Sequence, residues 1–252
     1  MPDRAPSRGL RVTGLAVSRG GRAILRGVDF AVEHRSTLAM IGASGSGKTT
    51  LLRALAGLGD VAEGGIEVDR RRVDRLPAHR RGIVYLNQEP LLFPHLDVRD
   101  NVAFGLRLRR WDAARIAAVV DPLIAALGLQ GLDARDPATL SGGERQRVAF
   151  GRALAVEPAV LLLDEPFASL DPATRLSMQT LFRQVAGSRG ITAIFVTHDL
   201  KECLRVGDRF AAIRDGACRL YADRAAFCAD PANGVADEVA FWEAAATPPR
   251  RD

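Results

Sequence analysis

An α/β fold with a mostly parallel core sheet, an antiparallel β flap and an inserted helical lobe is what this sequence predicts, on three observations. Short continuous apolar runs at Thr37–Ile41, Val160–Leu163 and Thr192–Val196 have the form of strands buried on both faces. Helical apolar spacing follows these runs, and such alternation argues for a parallel sheet with both faces covered. From Glu89 to Leu140 the alternation stops, and prolines followed by two helical patterns take its place.

In chain order, Leu10 to Val17 and Val28 to Val32 read as strands of the flap, since β-branched and apolar residues recur between glycine-rich turns. Thr37–Ile41 is a buried strand ending at Gly42, and a helix is expected from Lys48 through Leu51, Leu52, Leu55 and Leu58. Gly64–Val68 and Ile83–Leu86 are further strands, the second ending at Asn87-Gln88. Pro90 and Pro94 open the lobe, with helices over Val98–Leu108 and Ala113–Leu127. An apolar-periodic helix at Val148–Ala155 follows Ser141-Gly142-Gly143, and helices are expected after Pro172 and Asp199. The resulting division is a flexible start at 1–9, one α/β domain at 10–223 with its lobe at about 89–140, and a short helix and tail at 224–252, frayed at Thr247–Asp252.

With 252 residues, 47% of them apolar, the chain can bury a sizeable core, which excludes a disordered protein. No apolar run approaches the roughly 18 residues that span a bilayer, and the start resembles no signal peptide, so a cytosolic location is expected. Three cysteines without metal or redox spacing, Cys203, Cys218 and Cys228, fit a reducing compartment and a role as small apolar filling. Lys48 and Lys201 are the only lysines, so the net charge of +5 is carried by arginines, which are scattered and often beside acids, as in Arg70-Arg71-Arg72-Val73-Asp74. That pattern is a solvated surface rather than a nucleic-acid footprint, and no nucleic-acid partner is expected.

Two glycine-rich stretches carry the chemistry. In Gly42-Ala43-Ser44-Gly45-Ser46-Gly47-Lys48-Thr49, the glycines let successive N–H groups point inward, and the following helix adds its positive end. Lys48 then neutralises phosphates and the Thr49 hydroxyl meets Mg²⁺, with Thr50 counted among the binding residues. Asp164 and Glu165 end the run Leu161-Leu162-Leu163 at a strand's carboxyl end, where open α/β sheets bind ligands. There Asp164 would hold Mg²⁺ through water and Glu165 would act as general base toward a water nucleophile. In the second stretch, Leu140-Ser141-Gly142-Gly143-Glu144-Arg145-Gln146-Arg147, a helix start again attracts anions.

These motifs, in this order, resemble the ATP-binding subunits of ATP-binding cassette (ABC) transporters, and the resemblance runs from about Leu10 to Tyr221. It implies a phosphate-loop ATPase using ATP and Mg²⁺. Gln88 resembles the family's glutamine that links Mg²⁺ or the attacking water to the permease contact. Ser169-Leu170-Asp171 resembles its aspartate loop, and His198 its switch histidine. Leu140 to Arg147 resembles the signature, so Ser141, Gly142, Gly143 and Glu144 are expected to cap the γ-phosphate held by a second ATP-binding subunit, in a homodimer. The resemblance further implies transmembrane permease subunits as partners, an external substrate-binding protein, and a peripheral position on the cytoplasmic face of the cell membrane.

Phe93-Pro94-His95-Leu96 with Asn101-Val102-Ala103-Phe104-Gly105-Leu106 is similar to importers of inorganic ions, iron, thiamine or polyamines. Leu92, Phe93 and Leu96 are the expected exposed apolar contact for a permease. Exporter or lipid-extraction subunits share the remaining motifs, and a soluble cassette ATPase acting on DNA or ribosomes is the more distant alternative. The chain departs from the family at Arg19, which stands where an aromatic residue stacks on adenine; a guanidinium plane can serve instead. A second departure is His34-Arg35-Ser36 in place of a Pro-Gly-Glu turn, and no built-in regulatory domain is expected in the short stretch after Tyr221.

Overall fold

The computed structural model describes residues 9–235 and 237–238; residues 1–8 of the flexible start expected at 1–9 and the frayed Thr247–Asp252 lie outside them, while Gly9 is already paired with Glu33 in a strand. The first layer is an antiparallel sheet of β1 (Gly9–Arg19), β2 (Arg22–Glu33), β4 (Glu63–Val68) and β5 (Arg71–Arg72), ordered β2-β1-β4-β5. The second sheet contains β3 (Thr37–Ile41), β6 (Ile83–Leu86), β7 (Val160–Asp164), β8 (Ala193–Thr197), β9 (Arg209–Arg214) and β10 (Ala217–Leu220). Its order is β10-β9-β3-β8-β7-β6, and every pairing is parallel except the β9–β10 hairpin.

Alternation along the buried strands assigns their side chains to two cores. Leu38, Met40, Leu162, Ile194 and Val196 pack with the flap's Leu10, Val12, Leu15 and Phe30 and with Leu51, Leu52 and Leu55 of α1 (Lys48–Ala56). Ala39, Ile41, Leu161, Leu163 and Phe195 face the other way. There they meet α4 (Gly142–Ala155), α5 (Pro172–Arg189) and α6 (Leu200–Val206), whose buried residues include Phe150, Phe182 and Cys203. Both faces of the sheet are therefore covered, as expected for a mostly parallel sheet.

Between β6 and α4, helices α2 (Val98–Leu108) and α3 (Ala113–Ala126) pack on each other and on α4. Each starts at an aspartate, Asp97 and Asp112, whose side chain accepts from the backbone N–H three residues on. Arg99 ties α2 to Asp121 of α3 and lies 3.6 Å from Asp133. A short helix, α7 (Arg224–Ala229), stacks Phe227 on Phe210 of β9 at 5.1 Å. No helix among the described residues is long and apolar enough to cross a membrane.

Three details differ from expectation. Helix α1 stops at Ala56 because Gly57 turns left-handed (φ 76°), and Leu58 is left 49% exposed. Helix α4 begins at Gly142, six residues before the apolar-periodic stretch, because its first turn is stabilised by a capping box rather than by apolar contacts. The β9–β10 hairpin was signalled by Asp215-Gly216, both at positive φ (47° and 77°), the pattern of a tight two-residue turn between apolar segments.

Arg81 knits the end of α1 to the loop before β6. Its guanidinium donates to the carbonyls of Ala54 (2.8 Å), Leu55 (3.0 Å), Asp74 (2.8 Å) and Leu76 (2.9 Å). Gly57 makes room for it, since a Cβ there would lie 2.6 Å from Arg81 Nε. Burial lowers the Arg81 pKa, but the charge remains because arginine starts so high. Arg81→Met, which keeps the apolar stem, leaves four carbonyls without this donor and is expected to lower stability by about 2–4 kcal/mol in urea unfolding.

Candidate functional site

The loop after β3 is shaped by three glycines for three reasons. A Cβ on Gly42 would lie 2.5 Å from the Ile213 carbonyl and 2.6 Å from Ser46 Oγ. Gly45 stands at φ 78° beside open space, and Gly47, the N-cap of α1, combines φ 107° with an approach of 2.9 Å to Leu25. Among the described residues no side chain caps α1 and no acid lies in its first turn, so its N–H groups and positive end stay available to an anion.

Lys48 is 5% exposed and donates to the carbonyls of Gly42 (2.7 Å) and Ala43 (2.9 Å). Burial lowers its pKa, while Glu165 and Asp164 pull in the opposite direction. Ser46 Oγ is buried without a hydrogen-bond partner, whereas Ala43, Ser44, Gly45 and Thr49 are exposed and Thr50 half-buried. An orphaned hydroxyl, a buried ammonium and unbonded helix N–H groups fit a polyphosphate.

The acids enter from β7. Asp164 is buried and its Oδ2 accepts from Tyr85 Oη of β6 at 2.8 Å. Burial raises the Tyr85 pKa, and the Asp164 carboxylate adds to the rise, so the phenol stays a donor. Glu165 adopts φ 46°, a left-handed conformation unusual for a residue with a Cβ, and its N–H donates to the Val196 carbonyl at 2.9 Å. Its two carboxylate oxygens reach separate partners: Oε1 is 3.9 Å from Lys48 Nζ and Oε2 is 2.8 Å from His198 Nδ1. His198 itself is mostly exposed and follows β8.

Hence Lys48, Glu165 and His198 are brought together, with Asp164 one residue away on the same strand end. Gln88 is exposed just beyond β6, the neighbour of β7, with its N–H donating to Asn87 Oδ1 at 3.0 Å. In the second glycine-rich stretch, Ser141 Oγ accepts from the Glu144 N–H (3.3 Å) and Glu144 Oε2 accepts from the Ser141 N–H (2.7 Å). Gly143 packs against Thr174 of α5, where a Cβ would lie 2.5 Å from its methyl. Among the described residues, neither Ser141 nor Glu144 hydrogen-bonds to the loop at 42–49.

Mg²⁺ keeps several waters and needs few protein oxygens; of the residues read from the sequence as its ligands, Thr49 and Gln88 are exposed and Asp164 is buried against Tyr85. An all-protein cage is a different matter, because no group of three or more His, Cys, Asp or Glu among the described residues is placed to hold a metal.

Beside the first half of the phosphate loop lies a cavity of 650 Å³, lined by residues including Arg22, Arg26, Gly42 to Ser46, His198, Arg214 and Asn233. Arg19 is exposed at the end of β1, paired in register with Arg22; it is Arg22, not Arg19, that faces the cavity. The expected apolar contact also shifts. Leu92 packs on the core, and Phe93 lies 4.2 Å from the Phe104 ring with the Arg152 guanidinium over it at 4.9 Å. Leu96 is half-buried, while Leu91, 62% exposed, is the open side chain.

Comparison with known proteins places these residues in a family. The sequence pattern of the ABC transporter family matches residues 25–168. The chain is 49% identical over 189 residues to the sulfate/thiosulfate import ATP-binding protein CysA of Mycobacterium tuberculosis (strain ATCC 25618 / H37Rv), covering 75% of this chain and 54% of that protein. The CysA of Xanthomonas campestris pv. campestris is 43% identical over 212 residues, covering 82% and 62%, and that of Nocardia farcinica 42% over 207 residues with the same coverage. The chain thus spans between 54% and 62% of the length of these curated relatives.

Tyr85 is the residue at this site that motif reasoning missed; only the pairing of β6 with β7 places its hydroxyl on Asp164. Tyr85→Phe is expected to lower stability by about 1–2 kcal/mol at pH 7, measured by denaturant unfolding. Because the matched pattern starts within β2, takes in both glycine-rich stretches and ends just past the acids of β7, the chain belongs to the ABC transporter family.

Proposed function

We propose that this chain is the ATP-hydrolysing, energy-coupling subunit of a membrane importer. The observation that carries the reading is the placement of the Glu165 carboxylate between Lys48 and His198 at the open end of the phosphate loop. Loop N–H groups and Lys48 bind the phosphates of ATP, Lys48 exchanging its carbonyl partners for phosphate oxygens. Glu165 accepts a proton from the attacking water, and its bond to His198 Nδ1 fixes the direction of the carboxylate. His198 steadies the γ-phosphate. Thr49, Gln88 and Asp164 hold Mg²⁺, which when bound offsets negative charge on the transferring phosphoryl group.

Ser141 to Glu144 serve the ATP of a second copy, and their bonds, kept within their own helix turn, support that division of labour. Dimer closure then moves a permease resting near Leu91 and Phe93, with the chain peripheral at the cytoplasmic face of the membrane. An external binding protein delivers cargo, and the names of the relatives favour an inorganic sulfur oxyanion as that cargo. At the base end of the nucleotide, Arg22 of the β1–β2 hairpin, which lines the cavity and pairs with Arg19, takes the place of an aromatic residue.

Glu165→Gln is expected to keep ATP affinity, lower the turnover rate by at least about 100-fold, and shift the chain to a dimer in size-exclusion chromatography with ATP. Normal turnover in this variant removes the assigned role. Purification of the tagged chain from gently solubilised membranes is expected to bring down a multi-span permease; recovery on ribosomes or DNA instead contradicts the importer reading.

A further inference from the structure

We propose that Arg175 is a positioning residue for the Glu165–His198 pair, a role that rests on the catalytic reading above. Arg175 lies in the first turn of α5, and its guanidinium faces two segments at once. Toward the loop leaving Glu165, Nε donates to the Phe167 carbonyl (3.2 Å), and one terminal nitrogen donates to Ala168 (3.1 Å) and Leu170 (2.9 Å). Toward the start of α6, the other terminal nitrogen lies 3.9 Å from Asp199 Oδ2, beside His198.

Each segment carries one half of the pair. The Ala168 N–H donates to the Glu165 carbonyl at 3.2 Å, so the carbonyls that Arg175 collects belong to the turn that closes on Glu165. Asp199 is fixed from its own side: its N–H donates to Thr197 Oγ1 (3.0 Å) and its Oδ1 accepts from the Glu202 N–H (3.0 Å). A residue held at φ 46° persists only where its surroundings over-determine it, and Arg175 binds three carbonyls of the loop that follows it, those of Phe167, Ala168 and Leu170. The ion pair with Asp199 is about one-third exposed on each side and weak as a Coulomb contact; the planar fork on the carbonyls carries the geometry. Lysine supplies the charge but not the fork.

The test compares Arg175→Ala, Arg175→Lys and Asp199→Asn in the full chain. Asparagine keeps the cap on α6 while removing the charge that faces Arg175, so it remains informative if Arg175→Ala fails to fold. The chain has four histidines, so the His198 imidazole can be followed in nitrogen-15 spectra of the nucleotide-free protein. Expected for both arginine variants are a displaced His198 signal, unmoved signals from His34, His79 and His95, and a kcat lowered about 3- to 30-fold with KM for ATP within about twofold. Asp199→Asn is expected to displace the same signal with a smaller loss of kcat. An unmoved His198 signal in Arg175→Lys and Asp199→Asn, or full kcat in Arg175→Lys, overturns the proposal. If the unaltered chain hydrolyses no ATP, the catalytic reading fails, and the imidazole spectrum still decides whether Arg175 positions His198.

Discussion

Three buried strands, β3, β8 and β7, pair in parallel with Ile41 opposite Thr197 and Asp164 opposite Val196, and the site depends on that register. Each strand ends within a residue of the others, so the phosphate loop, the histidine and the acids leave the sheet along one edge. A one-residue slip would turn Asp164 and every apolar neighbour to the opposite face. The slip is resisted because both faces are filled: alternate residues of each strand belong to separate apolar cores. Stability and chemistry thus draw on the same strands.

At that edge, and at the opposite one where β6 begins, polar groups are held by backbone carbonyls more than by ion pairs. Lys48 lies on the carbonyls of Gly42 and Ala43, Arg81 on those at the end of α1, and Arg175 on those of the loop past Glu165. Directional bonds of this kind fix angles as well as distances, which a surface charge pair does not. The arginine-dominated charge noted in the sequence is therefore in part structural, with several guanidinium groups serving as fasteners between elements.

Much that was legible in the sequence is encoded locally. Loop 42–49 and the acids at the end of β7 each rest on a few adjacent residues, whereas the aspartate caps at Asp97, Asp112, Asp171 and Asp199, equally local, were passed over. Leu58 was misassigned because the apolar spacing continues past Gly57, whose left-handed turn ends the helix. Contacts between distant residues stayed hidden: Tyr85 and Asp164 are 79 positions apart, and Arg81 and Ala54 are 27 apart. Strand order brings those residues together, and no short pattern reports strand order. The hairpin at Asp215-Gly216 is a different case, since its turn residues were in plain view between two apolar segments.

Lys48 fills its own loop with two carbonyl bonds. The curve of the loop is thus held in part by its own ammonium, which acts as an internal template. Entry of a nucleotide then requires the swing of one side chain rather than the ordering of a flexible segment. The entropy that a disordered loop would lose on binding has already been lost in folding, so encounter and capture become nearly the same event.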